Sequence, residues 1–387
     1  MQANARVPAS RLPHVGQSPF IHITQLAKQH QAINLGQGFP DFNCDERLRQ
    51  LLTEAIEQGH NQYAPMAGTS ELLTTIATEQ AQRYGKRWDL EKEITVTAGA
   101  TQALMAAILA LVQPGDDVIV LEPSFDSYGP AIELAGGRPV YVQLDPKASF
   151  APDWDRIRQA IGPRTRMLIL NFPHNPTGRC LRESDLRALE KIATETGILL
   201  LSDEVYEHII FDQRQHQSLS RSDLLAAQAI VVSSFGKSLH ITGWKVGYIC
   251  AAAPIMAQIR KVHQYMVFSV NTPAQYAIAA HLKQPNLWPA LAQFYQRKRD
   301  AFVQALAHSG FQCLPCEGTY FVLADHSRMC AQGGMDFIYR LIQEAGVAAM
   351  PLSSFYAEAP SPPIVRFCFA KQDDTLHIAA QRLSRLT

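Results

Sequence analysis

Ala229-Ile230-Val231-Val232-Ser233-Ser234-Phe235-Gly236-Lys237-Ser238-Leu239-His240-Ile241-Thr242-Gly243-Trp244-Lys245-Val246-Gly247-Tyr248 sets a lysine between two apolar runs. The β-branched run from Ala229 to Val232 leads in and the run from Val246 to Ala252 leads out, which predicts Lys237 on a loop between two buried strands. Three chemistries for such a lysine can be tested on the letters. Gly236-Lys237-Ser238 resembles the tail of a phosphate-cradling loop, but that loop needs a glycine at position 231, where valine stands. Ser234-Phe235-Gly236-Lys237 matches the Ser-x-x-Lys of serine acylases, yet the Ser-Asp-Asn and Lys-Thr-Gly that accompany it are missing from the chain. What remains is a lysine that forms an imine with a carbonyl, with Ser234 and Lys245 nearby to hold an anion. The plain alternative is a surface lysine beside a turn.

Outward from this segment, short β-rich runs recur at Ile94 to Thr97, Val118 to Leu121, Pro139 to Leu144, Met167 to Asn171, Ile198 to Ser202, Ile230 to Phe235 and Val246 to Cys250. Most are separated by helix-forming stretches such as Gln102 to Val112 and Ser184 to Thr196. That alternation predicts an α/β fold with a mostly parallel, helix-covered sheet, which binds ligands at its strand ends. Upstream, residues 1 to 40 are proline-punctuated and read as an arm and a loop, Gly36-Gln37-Gly38-Phe39-Pro40, with a helix only over Ile21 to Gln31. Helical periodicity follows over Leu48 to Glu57 and Thr69 to Tyr84. Downstream of Pro254 come helices over Ile255 to Tyr265, Pro273 to Leu282 and Trp288 to Ala307. The remainder mixes strands (Tyr320 to Ala324, Ile364 to Phe369) with helices, as a smaller α+β domain does.

The 387 residues suffice for two domains and a large core. Lys plus Arg equals Asp plus Glu at 35 each, so no single-signed field favours nucleic acid or an anionic membrane. A small-molecule ligand is expected instead. The stretch from Met1 to Gln17 lacks the apolar core of a signal peptide, and Ala103 to Val112 is too short to span a bilayer, so a cytoplasmic protein is expected. Seven cysteines form no disulfide framework, and Cys313-Leu314-Pro315-Cys316 lacks the second Cys or His pair of a zinc site. Buried free thiols and no metal are the expectation.

The polar motifs fall just after the strands: Gly99-Ala100-Thr101, Phe125, Asn175, Asp203 with Tyr206, and Ser234 with Lys237. In an α/β sheet they gather at one edge. Gly99-Ala100-Thr101 opens a helix whose free N–H groups suit a phosphate, although most strand-to-helix turns look alike. Asn171-Phe172-Pro173-His174-Asn175-Pro176-Thr177-Gly178 is two X-Pro turns that aim an amide, or simply a proline-rich connection. Asp203 ends a wholly apolar strand, where a buried carboxylate costs several kcal/mol, by rough estimate, unless a cation meets it. A basic ring nitrogen would serve; so would a helix cap need only the acid. Arg366 lies between Ile364-Val365 and Phe367-Cys368-Phe369, so an inward guanidinium needs an anion, and its fork suits a carboxylate.

Together these motifs resemble the class I aminotransferases of fold type I, the pyridoxal phosphate enzymes, and within them the methionine and kynurenine aminotransferase group. The resemblance runs from Asn34-Leu35-Gly36-Gln37-Gly38-Phe39-Pro40 through Asn61-Gln62-Tyr63, Ala98-Gly99-Ala100, Glu122-Pro123-Ser124-Phe125-Asp126, Asn175-Pro176-Thr177-Gly178 and Ser202-Asp203-Glu204-Val205-Tyr206. It continues through Ser233 to Gly247, Phe268-Ser269-Val270-Asn271-Thr272-Pro273, Cys316-Glu317-Gly318-Thr319-Tyr320-Phe321 and Val365-Arg366-Phe367-Cys368-Phe369. It implies an arm and small-domain part over 1–40, a large cofactor-binding α/β domain with a seven-stranded sheet over 41–285, and a small α+β domain over 286–387. It also implies roles. Lys237 carries the cofactor as an imine and then acts as the base, Asp203 pairs with the pyridine nitrogen, and Tyr206 and Asn175 bond the ring's phenolic oxygen. Phe125 stacks on the ring; Gly99, Ala100, Thr101, Ser234 and Lys245 hold the phosphate; Tyr63 reaches the phosphate of the partner subunit in a homodimer. Arg366 and Asn175 grip the substrate α-carboxylate under the loop of Gly38. Phe125 and Lys245 stand where relatives carry tyrosine or tryptophan and arginine. A positive ring and Lys245 are expected to keep Lys237 uncharged.

The implied reaction exchanges an α-amino for a keto group between an amino acid and a 2-oxo acid, with methionine the first donor, and with Phe39, Tyr63 and Phe268 supplying an apolar wall. A carbon-sulfur β-lyase would use the same lysine and differ in the bond broken. The ligand-sensing domain of a transcription regulator shares the architecture, but the 40 residues before the core leave no room for a DNA-binding helix-turn-helix.

Overall fold

The computed structural model describes residues 9–386 except Gln332, Ala359 and Ser361; residues 1–8 of the expected arm lie outside the described residues. Seven strands form the main sheet in the order Ile94–Thr97, Gly247–Ala251, Ala229–Ser234, Leu199–Asp203, Thr165–Asn171, Asp117–Glu122 and Arg138–Gln143. Only Gly247–Ala251 runs antiparallel to its neighbours; the other pairings are parallel. The central strands are buried along their lengths because helices cover both faces, which is why their sequences read as continuous apolar runs. Apolar side chains on one face meet the helix Gly99–Leu111, and those on the other join the larger core.

Local chemistry sets where the helices begin and end. Asp45 caps Glu46–Glu57 through the N–H groups of Arg47 and Leu48, and Thr69 caps Ser70–Tyr84 through Leu72 N–H. Gly85 and Gly197 close their helices in the left-handed conformation, which costs glycine least.

A second, antiparallel sheet runs Met350–Pro351, Ile364–Cys368, Phe321–Asp325, Gln312–Cys313. The short strand Ile33–Asn34 pairs in parallel with Val347–Ala348, and Cys368 N–H donates to Leu35 O at 2.7 Å. The chain entering the Gly36–Pro40 loop is thereby tied beside the strand that carries Arg366.

Three expectations are corrected. Lys237 sits on a single helical turn, Phe235–Ser238, rather than on a loop, because the Ser234 hydroxyl accepts from Gly236 N–H and caps it. The strand expected over Ile198 to Ser202 instead spans Leu199–Asp203, one residue later, with the acid at its end as expected. Of the seven free cysteines, Cys44, Cys313 and Cys330 are only partly buried, while Cys180, Cys250, Cys316 and Cys368 are buried.

Candidate active site

Ends of neighbouring strands open on a cavity of about 300 Å³. Gly38, Gly99, Ala100, Thr101, Phe125, Asn175, Asp203, Tyr206, Ser234, Lys237, Lys245 and Arg366, drawn from segments far apart in sequence, all line it. Tyr63, expected to reach the phosphate of the partner subunit, does not. It is 82% exposed and packs edge-on against Phe268 with ring centroids 5.4 Å apart.

Lys237 Nζ lies 3.4 Å from Gly38 O and 5.9 Å from the centroids of both the Tyr206 and Tyr320 rings. Its pKa is pushed down to about 8. Burial is the leading cause, because an ammonium loses its water there. Arg366 and then Lys245 add positive potential, while Cys368 and Asp203 oppose them. The expected emphasis on Lys245 therefore gives way to desolvation.

Asp203 is 4% exposed, and its Oδ2 accepts from the Tyr128 hydroxyl at 2.7 Å. Val205 N–H donates to Oδ1 at 3.3 Å. Burial pushes the acid up to about 6 despite these donors. Beside it, Asn171 on the adjacent strand donates from Nδ2 to Asp203 O and accepts Asn175 N–H on Oδ1, which fixes the Asn175 turn. The Phe172-Pro173 and Asn175-Pro176 bonds are cis.

Arg366 is 1% exposed, so its guanidinium is turned inward. Its Nη1 donates to Asn175 Oδ1 at 2.6 Å and its Nη2 to Gly36 O at 2.9 Å, and the guanidinium lies 3.8 Å from the centroid of Phe321. Nε has no partner among the described residues. Burial lowers its pKa to about 10. The guanidinium is hydrogen-bonded to two neutral oxygens and feels the Asp126 charge only at a distance, so an incoming carboxylate supplies a direct counter-charge.

Gly99, Ala100 and Thr101, the first residues of the helix Gly99–Leu111, also line the cavity, and the N–H groups that open a helix have no partner within it. Gly99 has φ +75°, and a Cβ there would come within 3.3 Å of Lys245 Cε and 3.4 Å of Lys245 Nζ. A side chain at 99 would fill the space between the helix end and the ammonium, so glycine keeps a cradle open. Ser234, Gly236 and Thr242 complete its lining.

Sequence reasoning missed several neighbours. Phe20, Leu104 and Phe321 form apolar lining, and Gln37, Asn171, Val205, Gly236 and Thr242 also face the cavity. Phe39, Tyr63 and Phe268, expected as the apolar wall, are not among this cavity's lining residues. Tyr128 was also missed; it follows Phe125 by three residues across a turn in which its N–H donates to Phe125 O, and that i, i+3 spacing is the signal that could have found it. Glu207 likewise went unnoticed. Its carboxylate accepts from the hydroxyls of Tyr84, Tyr248 and Ser233, tying the turn after Asp203 to the two strands that flank Lys237.

The profile of the aminotransferase class I and II family matches residues 30–383. The chain belongs to the class I and II aminotransferases. This aminotransferase is 49% identical to a methionine aminotransferase of Escherichia coli (strain K12), over 100% of each chain. A crystal structure of a methionine aminotransferase from Escherichia coli superposes with TM-score 0.96 at 49% identity, covering 98% of this chain and 100% of that one. A probable N-succinyldiaminopimelate aminotransferase of Mycobacterium tuberculosis is 39% identical over 97% of this chain and 98% of its own. The mouse kynurenine–oxoglutarate transaminase 1 is 34% identical over 98% of this chain and 97% of its own. The enzyme is pyridoxal phosphate-dependent, as its family is, and the residues fit that cofactor: a helix start with Lys245 that can hold a phosphate, a buried acid and a buried amine all line one cavity.

Proposed function

We propose that this aminotransferase moves the α-amino group of an apolar, sulfur-bearing or aromatic L-amino acid, methionine foremost, to a 2-oxo acid. One observation carries the donor class. The cations lining the cavity are Lys237, Lys245 and Arg366. On this reading each is already committed, and the aromatic lining against Arg366 is Phe20 and Phe321. A side chain bearing its own carboxylate would find no counter-charge there, whereas a thioether or an aromatic ring would bury apolar surface. The likeness to the Escherichia coli methionine aminotransferase supports the same choice.

When bound, pyridoxal phosphate supplies an aldehyde for the amino group and a ring that takes up the electrons left when the α-proton departs. The residues do the rest. Lys237, whose pKa burial lowers to about 8, carries a larger share of free amine than an ordinary lysine; its Nζ would hold the aldehyde and then act as the base that takes the proton from the substrate Cα and returns it. Asp203 holds a proton on the ring nitrogen. Tyr206 and Asn175 bond the phenolic oxygen, and Phe125 supports the ring face. The N–H groups of Gly99, Ala100 and Thr101, with Ser234 and Lys245, take the phosphate. Arg366 and Asn175 orient the α-carboxylate under the Gly38 loop, so that the Cα–H bond faces Lys237. The proposal includes a cytoplasmic homodimer in which the exposed Tyr63 reaches the phosphate of the partner subunit.

The test is a panel of donors, methionine, phenylalanine, kynurenine, aspartate, glutamate and N-succinyldiaminopimelate, each mixed with loaded enzyme while the cofactor absorbance is followed. Methionine should give the highest kcat/KM. A carboxylate-bearing donor that outruns it would refute the assignment, and release of pyruvate and ammonia from cysteine conjugates without an acceptor would identify a β-lyase.

A further inference from the structure

Tyr128 opens the helix Tyr128–Leu134 and is 2% exposed. It touches two residues that line the cavity. Its hydroxyl donates to Asp203 Oδ2 at 2.7 Å, and its ring meets Phe125 nearly edge-on with centroids 5.7 Å apart. We propose that Tyr128 is a positioning residue that occupies Asp203 Oδ2, leaves Oδ1 for the cofactor's ring nitrogen, and thereby keeps the proton of that pair on the ring. The inference rests on the reading of Asp203 as the partner of that nitrogen.

The physical case starts from the carboxylate. A hydroxyl that donates to it stabilises the anion and makes it a weaker base. Burial works the other way and raises Asp203 to about 6; the Tyr128 bond is the foremost influence opposing that rise, ahead of Val205 N–H and the Lys237 charge, while Glu204 adds to it. A carboxylate raised further would compete with a basic ring nitrogen for the proton, and a neutral ring accepts electrons poorly. Glu204, though next in sequence, turns its own oxygens to Ser202, His216 and Leu219 N–H. Tyr206 and Asp126 are the further titratable groups felt by Tyr128, and burial together with the Asp203 charge pushes the Tyr128 phenol well above its ordinary value. It therefore remains a donor wherever Asp203 is ionised. A tyrosine present only to fill space would not need its oxygen.

The experiment compares wild type, Tyr128→Phe, Asp203→Ala and the double variant, measuring the dissociation constant of pyridoxal phosphate by equilibrium dialysis of the holoenzymes across the pH range in which Asp203 titrates. Tyr128→Phe keeps the ring against Phe125, and thermal melting followed by circular dichroism is recorded in parallel, so that loss of the fold is seen separately. Tyr128→Phe should weaken binding about ten-fold, the scale of one hydrogen bond to a charged group. The midpoint of the acid-side loss of affinity should move to higher pH, because the acid without its donor takes up a proton more readily. In the Asp203→Ala background the same change should have no further effect. Unchanged affinity and midpoint in Tyr128→Phe, or an equal loss in both backgrounds, would overturn the role of Tyr128. An Asp203→Ala variant with wild-type affinity and pH dependence would instead remove the underlying reading of Asp203, and the proposal with it.

Discussion

Lys237 and Asp203 show burial, the leading influence on each, moving two side chains in opposite directions. Desolvation disfavours the charged form of each, so it lowers the lysine to about 8 and raises the acid to about 6. The lysine gains free amine, whereas the rise of the acid works against its ionised role and is opposed by the Tyr128 and Val205 donors. Lys237→Ala removes the α-proton acceptor, and turnover should fall ~100- to 10,000-fold, the usual range for general base catalysis, while pyridoxal phosphate still binds. Single-turnover kinetics with methionine would check this; near-native rates would remove Lys237 from the proton transfer. The strained acid should also show in stability. The folded carboxyl holds its proton more tightly than the unfolded one at 3.8, so its penalty is absent below that pH, grows up to about 6, and is full above it. In cofactor-free protein, Asp203→Asn should therefore be the more stable form above pH 6, by ~3 kcal/mol at most, with the gap closing in acid. Denaturant melts at two pH values measure the difference.

Among the elements, the Gly36–Asp41 segment is the one whose placement depends most on residues far away in sequence. Its carbonyls are each held from the other end of the chain: Gly36 O by Arg366, Gly38 O by Tyr320 at 2.8 Å, and Phe39 O by Lys371 at 2.8 Å. Asp41 accepts from Gln372 N–H and the Thr375 hydroxyl. Glycine at 38 is required by space: a Cβ would lie 2.7 Å from Phe321 Cζ. Since Phe321 lies against the Arg366 guanidinium, displacing that ring disturbs the carboxylate site. Gly38→Ala should raise KM for amino and 2-oxo acids together, roughly ten-fold if about 1.4 kcal/mol of carboxylate binding is lost, with a smaller effect on kcat. Steady-state kinetics for methionine and one 2-oxo acid decide it; an unchanged KM for both would free the loop from any part in carboxylate binding. At this scale the strands were readable because an apolar run buried on both faces has few other readings. The turn Phe235–Ser238 was not, since four residues are too few for helical periodicity and the cap that makes it a helix is the preceding serine.

For the whole molecule, the exposed aromatic group around Tyr63 bears on assembly. Tyr63 and Phe268, whose rings meet edge-on, are 82% and 45% exposed. Large apolar side chains in such a cluster are costly to leave in water. Sedimentation should give twice the monomer mass. Tyr63→Phe should leave that mass unchanged but weaken pyridoxal phosphate binding several-fold, through loss of one hydroxyl to phosphate across the interface. A monomer with full activity would end the dimer reading. Charge balance fits the same picture at this scale, since equal numbers of Lys plus Arg and Asp plus Glu leave recognition to local groups such as Arg366.

The letters by themselves determined the alternation of strands and helices, the acid closing an apolar strand, the lysine between two apolar runs and the arginine set in a third, because each is a short-range mismatch between a charged residue and the burial its neighbours require. They could not separate Phe20, Phe321 and Tyr128 from the many aromatic residues of the core, nor exclude Phe39 and Phe268 from the cavity wall. Periodicity tells which side chains are buried, but which of them face one another follows from packing between segments hundreds of residues apart. Only the tertiary structure put a phenol on the acid, a phenyl ring under the guanidinium and a loop carbonyl near the lysine.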